Sequence, residues 1–165
     1  MKRKTEMPIR KEFHLPTYKE IPNVGLYLDQ TSKYINEVLS DLPDMKITNS
    51  MIANYVKKKL IANPVRKQYG RDQIAYLIFI TLSKSALSLD DAAALFELQK
   101  SSCSAEEAYA YFREGFEKAL NEGQSTERDQ DDMLKSLTLK IISTVVSNIR
   151  LQELLQSTFG GKIKE

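Results

Sequence analysis

The feature that most constrains this chain is the stretch from Lys46 to Leu98, KITNSMIANYVKKKLIANPVRKQYGRDQIAYLIFITLSKSALSLDDAAALFEL. It sets a capped, amphipathic segment against a basic turn and an almost wholly apolar run. Thr48 is a good helix N-cap, because its hydroxyl accepts a hydrogen bond from an otherwise unpaired first-turn N–H. From there Ile52, Tyr55, Val56 and Leu60 recur at helical spacing and form one apolar stripe. Opposite lie Asn49, Ser50, Asn54 and Lys57, with Lys58 at the edge. Those are the groups DNA reading uses: asparagine pairs bidentately with adenine, serine contacts base edges or phosphates, and lysine neutralises phosphate or reaches guanine. A run such as Lys57-Lys58-Lys59 also suits a solvated helix face. Between Lys46 and Arg71, however, seven basic residues stand without one acidic residue. Missing counter-charges favour an anionic partner.

After Leu60 comes Asn63-Pro64-Val65-Arg66-Lys67-Gln68-Tyr69-Gly70. Pro64 stops helix propagation, Val65 and Tyr69 favour extended backbone, and Gly70 permits a sharp exit. This predicts a small two-stranded wing with Arg66 and Lys67 near its tip, laid along a phosphate backbone. Ile74 to Leu82 suits a buried strand by composition, yet the length from Arg71 to Lys84 and the polar Arg71, Asp72 and Gln73 at its start predict a helix. Ser88 caps a further helix from Leu89 to Gln99, with Asp90 and Asp91 placed favourably against its N-terminal dipole. Ahead of the stretch, Gly25 to Ser40 has an approximate amphipathic face of Leu28, Ile35, Val38 and Leu39. The connection Asp41-Leu42-Pro43-Asp44 is longer than a helix-turn-helix normally uses.

This order of helix, Pro turn, basic wing, Tyr, apolar helix and Leu-Ser-Leu-Asp-Asp resembles the DNA-binding head of MerR-type transcriptional regulators. Ile21 to Leu98 is more closely similar to a bacterial family catalogued as domain of unknown function 1836, itself considered MerR-like. By position Thr48 matches that family's capping Ser, Tyr55 the second aromatic of its Arg-Tyr-Tyr motif, and Leu60-Ile61 the Leu-Leu before the wing. Lys67 and Tyr69 fall where it places a wing Arg and Tyr. Ala53 and Asn54 stand where MerR proteins usually carry the Arg and first Tyr, and Lys59 replaces a Gly. The resemblance therefore implies DNA binding in which Asn54 and Lys57 take over the recognition-helix contacts.

Outside this stretch the chain divides electrically. Residues 1–89 carry fifteen basic and eight acidic side chains, a net +7, whereas residues 90–165 carry nine and fourteen, a net −5. Such asymmetry suggests a nucleic-acid-facing half and a half with another task. The first twenty residues are basic with no apolar run behind them, which reads as a flexible arm rather than a signal peptide or anchor. No stretch is long and apolar enough to span a bilayer, so cytoplasmic residence is the expectation. One cysteine, Cys103, and one histidine, His14, give poor support for a soft-metal site. No nucleophile–base pair, Gly-rich phosphate loop or metal-protease motif is present, so neither a cofactor nor catalysis is expected.

Beyond Leu98, Ala105 to Leu120 places Ala105, Ala108, Tyr109, Phe112, Phe116, Ala119 and Leu120 on one face. A polar break from Asn121 to Gln130 leads to the longest helix, Asp131 to about Thr158, whose apolar stripe is too wide for one coiled-coil seam. The width predicts two neighbours: the 105–120 helix and a second copy of the chain. Asn148 either fixes the register of that dimer from within the stripe or faces water at its margin. Tyr109 and Phe112 suit core packing, while Tyr111, off the apolar face, is the candidate aromatic for an unidentified small-molecule effector.

The sequence thus predicts a mostly α protein in three parts: a flexible basic arm (1–20), a MerR-like winged helix-turn-helix head (21–99) and a two-helix C-terminal dimerisation unit (100–165). The expected activity is sequence-specific binding of double-stranded DNA by a homodimer joined through the 131–158 helix. Asn49, Ser50, Asn54 and Lys57 would enter the major groove, with Lys58, Arg66 and Lys67 on phosphates. The competing reading is a protein-interaction adaptor whose MerR-like head no longer reads DNA.

Overall fold

A computed structural model describes residues 11–123 and 132–160. Among the described residues a 3-10 turn at Tyr18–Glu20 is followed by six helices: α1 (Leu28–Val38), α2 (Asn49–Lys57), α3 (Arg71–Ser83), α4 (Leu89–Ser102), α5 (Ala105–Glu122) and α6 (Met133–Phe159). The protein is mostly α-helical. Among the described residues extended pairing is confined to two isolated antiparallel bridges, Leu26 with Tyr69 and Val65 with Gln68. No described helix is long and apolar enough to cross a membrane.

The helix starts follow local chemistry. Thr48, Ser88, Ser104 and Asp132 each accept a hydrogen bond from the backbone N–H three residues on, at 3.1–3.2 Å. Gln30 and Gln73 reach back to the N–H of Tyr27 and Gly70, at 3.0 and 2.7 Å, which is the reciprocal half of a capping box. The helix expected at Gly25 begins only at Leu28, because Leu26 pairs with Tyr69 through both its N–H and its carbonyl.

α3 is the central helix, touching α1, α5 and α6. Ile74, Ala75, Leu77, Ile78, Ile80 and Leu82 are all buried. A helix covered on every side needs no polar face, which is why its sequence shows no helical period. Its two buried hydroxyls are satisfied within the helix, Thr81 donating to the Leu77 carbonyl and Ser83 to that of Phe79, both at 2.7 Å. α5 and α6 pack together against one flank of α3.

The flexible arm is corrected for its described part; residues 1–10 lie outside the described residues. Phe13 and Leu15 are buried, and the segment lies along α5 as a strap. Asn121 clamps Phe13 with two hydrogen bonds, accepting from its N–H at 2.9 Å and donating to its carbonyl at 2.8 Å. Glu117 accepts from the Leu15 N–H at 2.7 Å, Tyr109 donates to the Pro16 carbonyl at 2.6 Å, and the Phe13 ring meets Phe116 edge-on. Alternating apolar residues without helical period dock an extended segment this way, one side chain in two turned inward. One hydrophobic core consequently runs from Phe13 to Ile149 and continues across residues 99 and 100.

Candidate nucleic-acid interface

α2 turns Ile52 and Tyr55 inward, both buried, and leaves Ser50, Ala53, Asn54 and Lys57 exposed. Its orientation is set by α1. Asn36 holds the segment before α2 with a pair of hydrogen bonds, donating to the Ile47 carbonyl at 2.9 Å and accepting from its N–H at 2.8 Å. Asn49 makes a second tie, donating to the Asp29 carboxylate and accepting from the Ser32 hydroxyl at 2.6 Å. Asn49, expected to read bases, has both ends of its amide engaged by α1, through partners 17 and 20 residues away in the chain that no local pattern indicates. The same tie brings a carboxylate to the first turn of α2, where it opposes the approach of a phosphate.

The C-terminal end of α2 is more unusual. The Leu60 N–H donates to the Tyr55 carbonyl at 2.9 Å and the Lys59 N–H to that of Val56 at 3.0 Å, the paired bonds of a Schellman motif. Such a motif needs a left-handed residue, normally glycine, and here Lys59 occupies it at φ 59°. The hairpin turn repeats the theme. Val65 and Gln68 exchange two backbone hydrogen bonds, at 3.1 and 2.9 Å, around Arg66 and Lys67, whose φ values are 51° and 63°. Positive φ at both central positions is the geometry that normally selects Asn-Gly. Three cations thus hold backbone positions that glycine fills at lower cost.

The expected two-stranded wing reduces to this turn and one further bridge. Pro64 has no N–H with which to extend the ladder, and both backbone groups of Tyr69 are taken by Leu26, at 3.0 and 2.7 Å. Gln73 fixes the approach to the turn by donating to the Ala62 and Asn63 carbonyls, at 2.7 and 3.2 Å.

Of the seven basic residues from Lys46 to Arg71, six are exposed: Lys46, Lys57, Lys58, Lys59, Arg66 and Lys67. Arg71 is not among them. Its guanidinium donates to the Ile21 and Lys19 carbonyls at 2.9 and 3.0 Å and stacks 5.3 Å from the Tyr18 ring centre, anchoring the strap to α3. Tyr18 in turn donates to Asp72 at 2.5 Å; burial, then this bond and the carboxylate's charge, push its hydroxyl up to about 12. Around the turn Val24, Tyr27 and Val65 are exposed apolar side chains, Val24 at 84% and Val65 at 73%. Lys59 was not among the expected site residues, although its place where the resembled pattern carries a glycine already signalled the left-handed backbone it adopts.

Tyr111, the effector candidate, lies apart from this face. It lines a cavity of about 350 Å³ between α3, α4, α5 and α6, together with Tyr76, Phe79, Phe96 and Gln99. Lys135 stands 5.6 Å from the Tyr111 ring centre. Cys103 also lines the cavity, its thiol pushed up by burial and by the charge of Glu107. Tyr109 and Phe112 are buried, as their place on the apolar face of α5 predicts. Among the described residues no group of three or more His, Cys, Asp or Glu side chains is placed to hold a metal ion.

No curated protein and no solved structure gives a significant match to this chain. A family profile does match, over residues 16–112, from the strap through the first half of α5 and more than half of the chain. The chain belongs to the family described as domain of unknown function (DUF1836).

Proposed function

We propose that this protein is a MerR-like, sequence-specific DNA-binding transcriptional regulator that acts as a homodimer. The observation that carries the reading is the placement of Lys59, Arg66 and Lys67 at left-handed positions beside the exposed Lys57 and Lys58. Left-handed backbone at a residue with a side chain costs of order 1–3 kcal/mol and tends to persist where function uses it. In this reading Ser50, Asn54 and Lys57 enter the major groove. Lys58, Lys59, Arg66 and Lys67 contact phosphates on either side, with the turn serving as the wing. Asn49 positions α2 rather than reading bases. The aromatic cavity beside Tyr111 is of a size that accepts a small molecule and supports an effector.

The adaptor reading draws support from Val24, Tyr27 and Val65, since an apolar rim around the turn also suits a protein partner. Selection from a random duplex pool at near-physiological salt separates the two. Enrichment of an inverted repeat is the expected result, and no enriched sequence moves the adaptor ahead. On the selected site, Asn54→Ala should relax base preference at one position, worth about 1–3 kcal/mol of discrimination, whereas Arg66→Ala should weaken binding to all sequences and flatten the salt dependence. Equal losses on specific and random DNA for both variants would overturn the assignment.

A further inference from the structure

The cavity of about 350 Å³ between α3, α4, α5 and α6 has walls that hold one another in place. Tyr76 meets Phe96 edge-on at 4.8 Å between ring centres, Phe96 meets Phe79 at 5.8 Å, and Phe79 meets Phe112 edge-on at 4.9 Å. Rings locked at such angles keep the space between them open, and aromatic walls suit a flat apolar body. The volume lies near the lower end of the range for small-molecule pockets, which suits one or two fused rings with a short side chain.

Polar groups gather at one corner. Gln99, 5% exposed, accepts from the Tyr76 hydroxyl at 2.5 Å and donates to the Cys103 carbonyl at 2.8 Å. Burial and then the charge of Glu107 push the Cys103 thiol up; a hydrogen bond with Gln99 pulls it back, and the charge of Asp132 adds to the rise. Gln99, Glu107 and Asp132 therefore converge on the Cys103 side of the cavity, which all four line.

The hydrogen-bond inventory of the lining decides what an occupant must bring. Four of its hydroxyls have spent their proton inside the chain: Tyr76 on Gln99, Tyr109 on the Pro16 carbonyl at 2.6 Å, and Ser102 and Thr138 on the carbonyls of Leu98 and Leu134, both at 2.7 Å. Acceptors are left over. The Tyr76 oxygen keeps its lone pairs, and an ionised carboxylate has about four acceptor sites. Helix caps take one from each carboxylate, Glu107 accepting from the Ser104 hydroxyl at 3.0 Å and Asp132 from the Lys135 N–H at 3.1 Å. Both carboxylates are exposed, so an occupant reaches them without burying an unpaired charge. Lys135 is the only cation in the lining, and its ammonium already lies over the Tyr111 ring, 5.6 Å from the centre, as positive charge on an aromatic face does.

We infer that this cavity binds a flat aromatic amine in its protonated form: the rings of Tyr76, Phe79, Phe96 and Phe112 enclose its aromatic body, and its ammonium N–H groups donate to the Glu107 and Asp132 carboxylates. An aromatic acid of the same shape brings acceptors to acceptors and a negative charge to two others, which selects against it. The inference deepens the effector role proposed for this cavity, on which it rests, and uses none of the DNA contacts.

Tryptamine and indole-3-propionate test it, since they carry opposite charges on one aromatic body. The chain has no tryptophan, so the indole fluorescence of either probe, read as anisotropy, reports binding without an indole background. At neutral pH tryptamine is expected to bind about tenfold tighter than indole-3-propionate. It should also slow the alkylation by iodoacetamide of Cys103, the only cysteine. Equal affinities, tighter binding of the acid, no saturable binding, or alkylation unchanged at saturating tryptamine overturns the inference. N,N,N-trimethyltryptammonium keeps the charge but has no ammonium N–H, and should bind more weakly; equal affinity overturns the donor bonds. Glu107→Gln with Asp132→Asn retains both helix caps and removes both charges. Its helical circular dichroism should be unchanged while the advantage of tryptamine over the acid disappears, and a preserved advantage overturns the role of these carboxylates. Binding is measured without DNA, so a duplex selection that enriches no sequence removes the regulator and leaves the amine site standing. Enrichment of an inverted repeat with no tryptamine binding keeps the regulator and removes the amine.

Discussion

At the scale of single residues, Lys59 is the most informative position. As the left-handed residue of a Schellman motif it costs stability that glycine at the same place does not. Lys59→Gly is therefore expected to raise the urea midpoint, by about 1 kcal/mol of stability, while weakening binding to the selected duplex. A variant that gains stability and keeps full affinity would take Lys59 out of the interface. Its neighbours show how unevenly such roles are written in sequence. The cap at Thr48 and the buried stripe of Ile52 and Tyr55 were legible, because capping and helical period act within one turn. The inward turn of Asn49 and the anchoring of Arg71 were not, because each depends on backbone and side chains brought from distant parts of the chain.

At the scale of elements, every described helix lies within a few residues of its expected place, put there by caps and apolar spacing except for α3, which segment length and a polar first turn indicated. The elements that departed from expectation are the two that are not helical. The wing is a single turn because Pro64 and the Leu26 bridge remove its ladder, and the arm is a strap because α5 offers Asn121 and Glu117 to its backbone. Breaking that clamp should matter. Asn121→Ala leaves the partly buried N–H and carbonyl of Phe13 without their partner, and is expected to cost about 1–3 kcal/mol in chemical denaturation. Amide exchange at Phe13 should rise at the same time. Unchanged stability together with unchanged exchange would show that Phe13 and Leu15 hold the strap by apolar contact alone.

At the scale of the whole molecule, burial raises the hydroxyls of Tyr34, Tyr55, Tyr69, Tyr76 and Tyr109 above their ordinary value of 10.0, as it does that of Tyr18, which reaches about 12. A group whose folded value is raised contributes stability that is complete below its unfolded value and lost as pH climbs through the folded one. Stability should hold at pH 8 and fall from about pH 10 upward, read as a declining urea midpoint alongside the rise of tyrosinate absorbance; a flat midpoint through pH 12 would contradict the burial of these rings. Tyrosines spread over α1, α2, the segment before α3, α3, α5 and the strap report a single core, and that core separates the two sources of information about this protein. By itself the sequence determined the helical class, most helix starts, the buried faces and the concentration of positive charge before Arg71, since capping, periodicity and charge are properties of neighbouring residues. Only the tertiary structure decided which cations stay exposed, that three of them sit on left-handed backbone, and that the N-terminal segment closes on α5. Each of those outcomes depends on pairings between residues far apart in the chain, and no local preference encodes which distant partner will arrive.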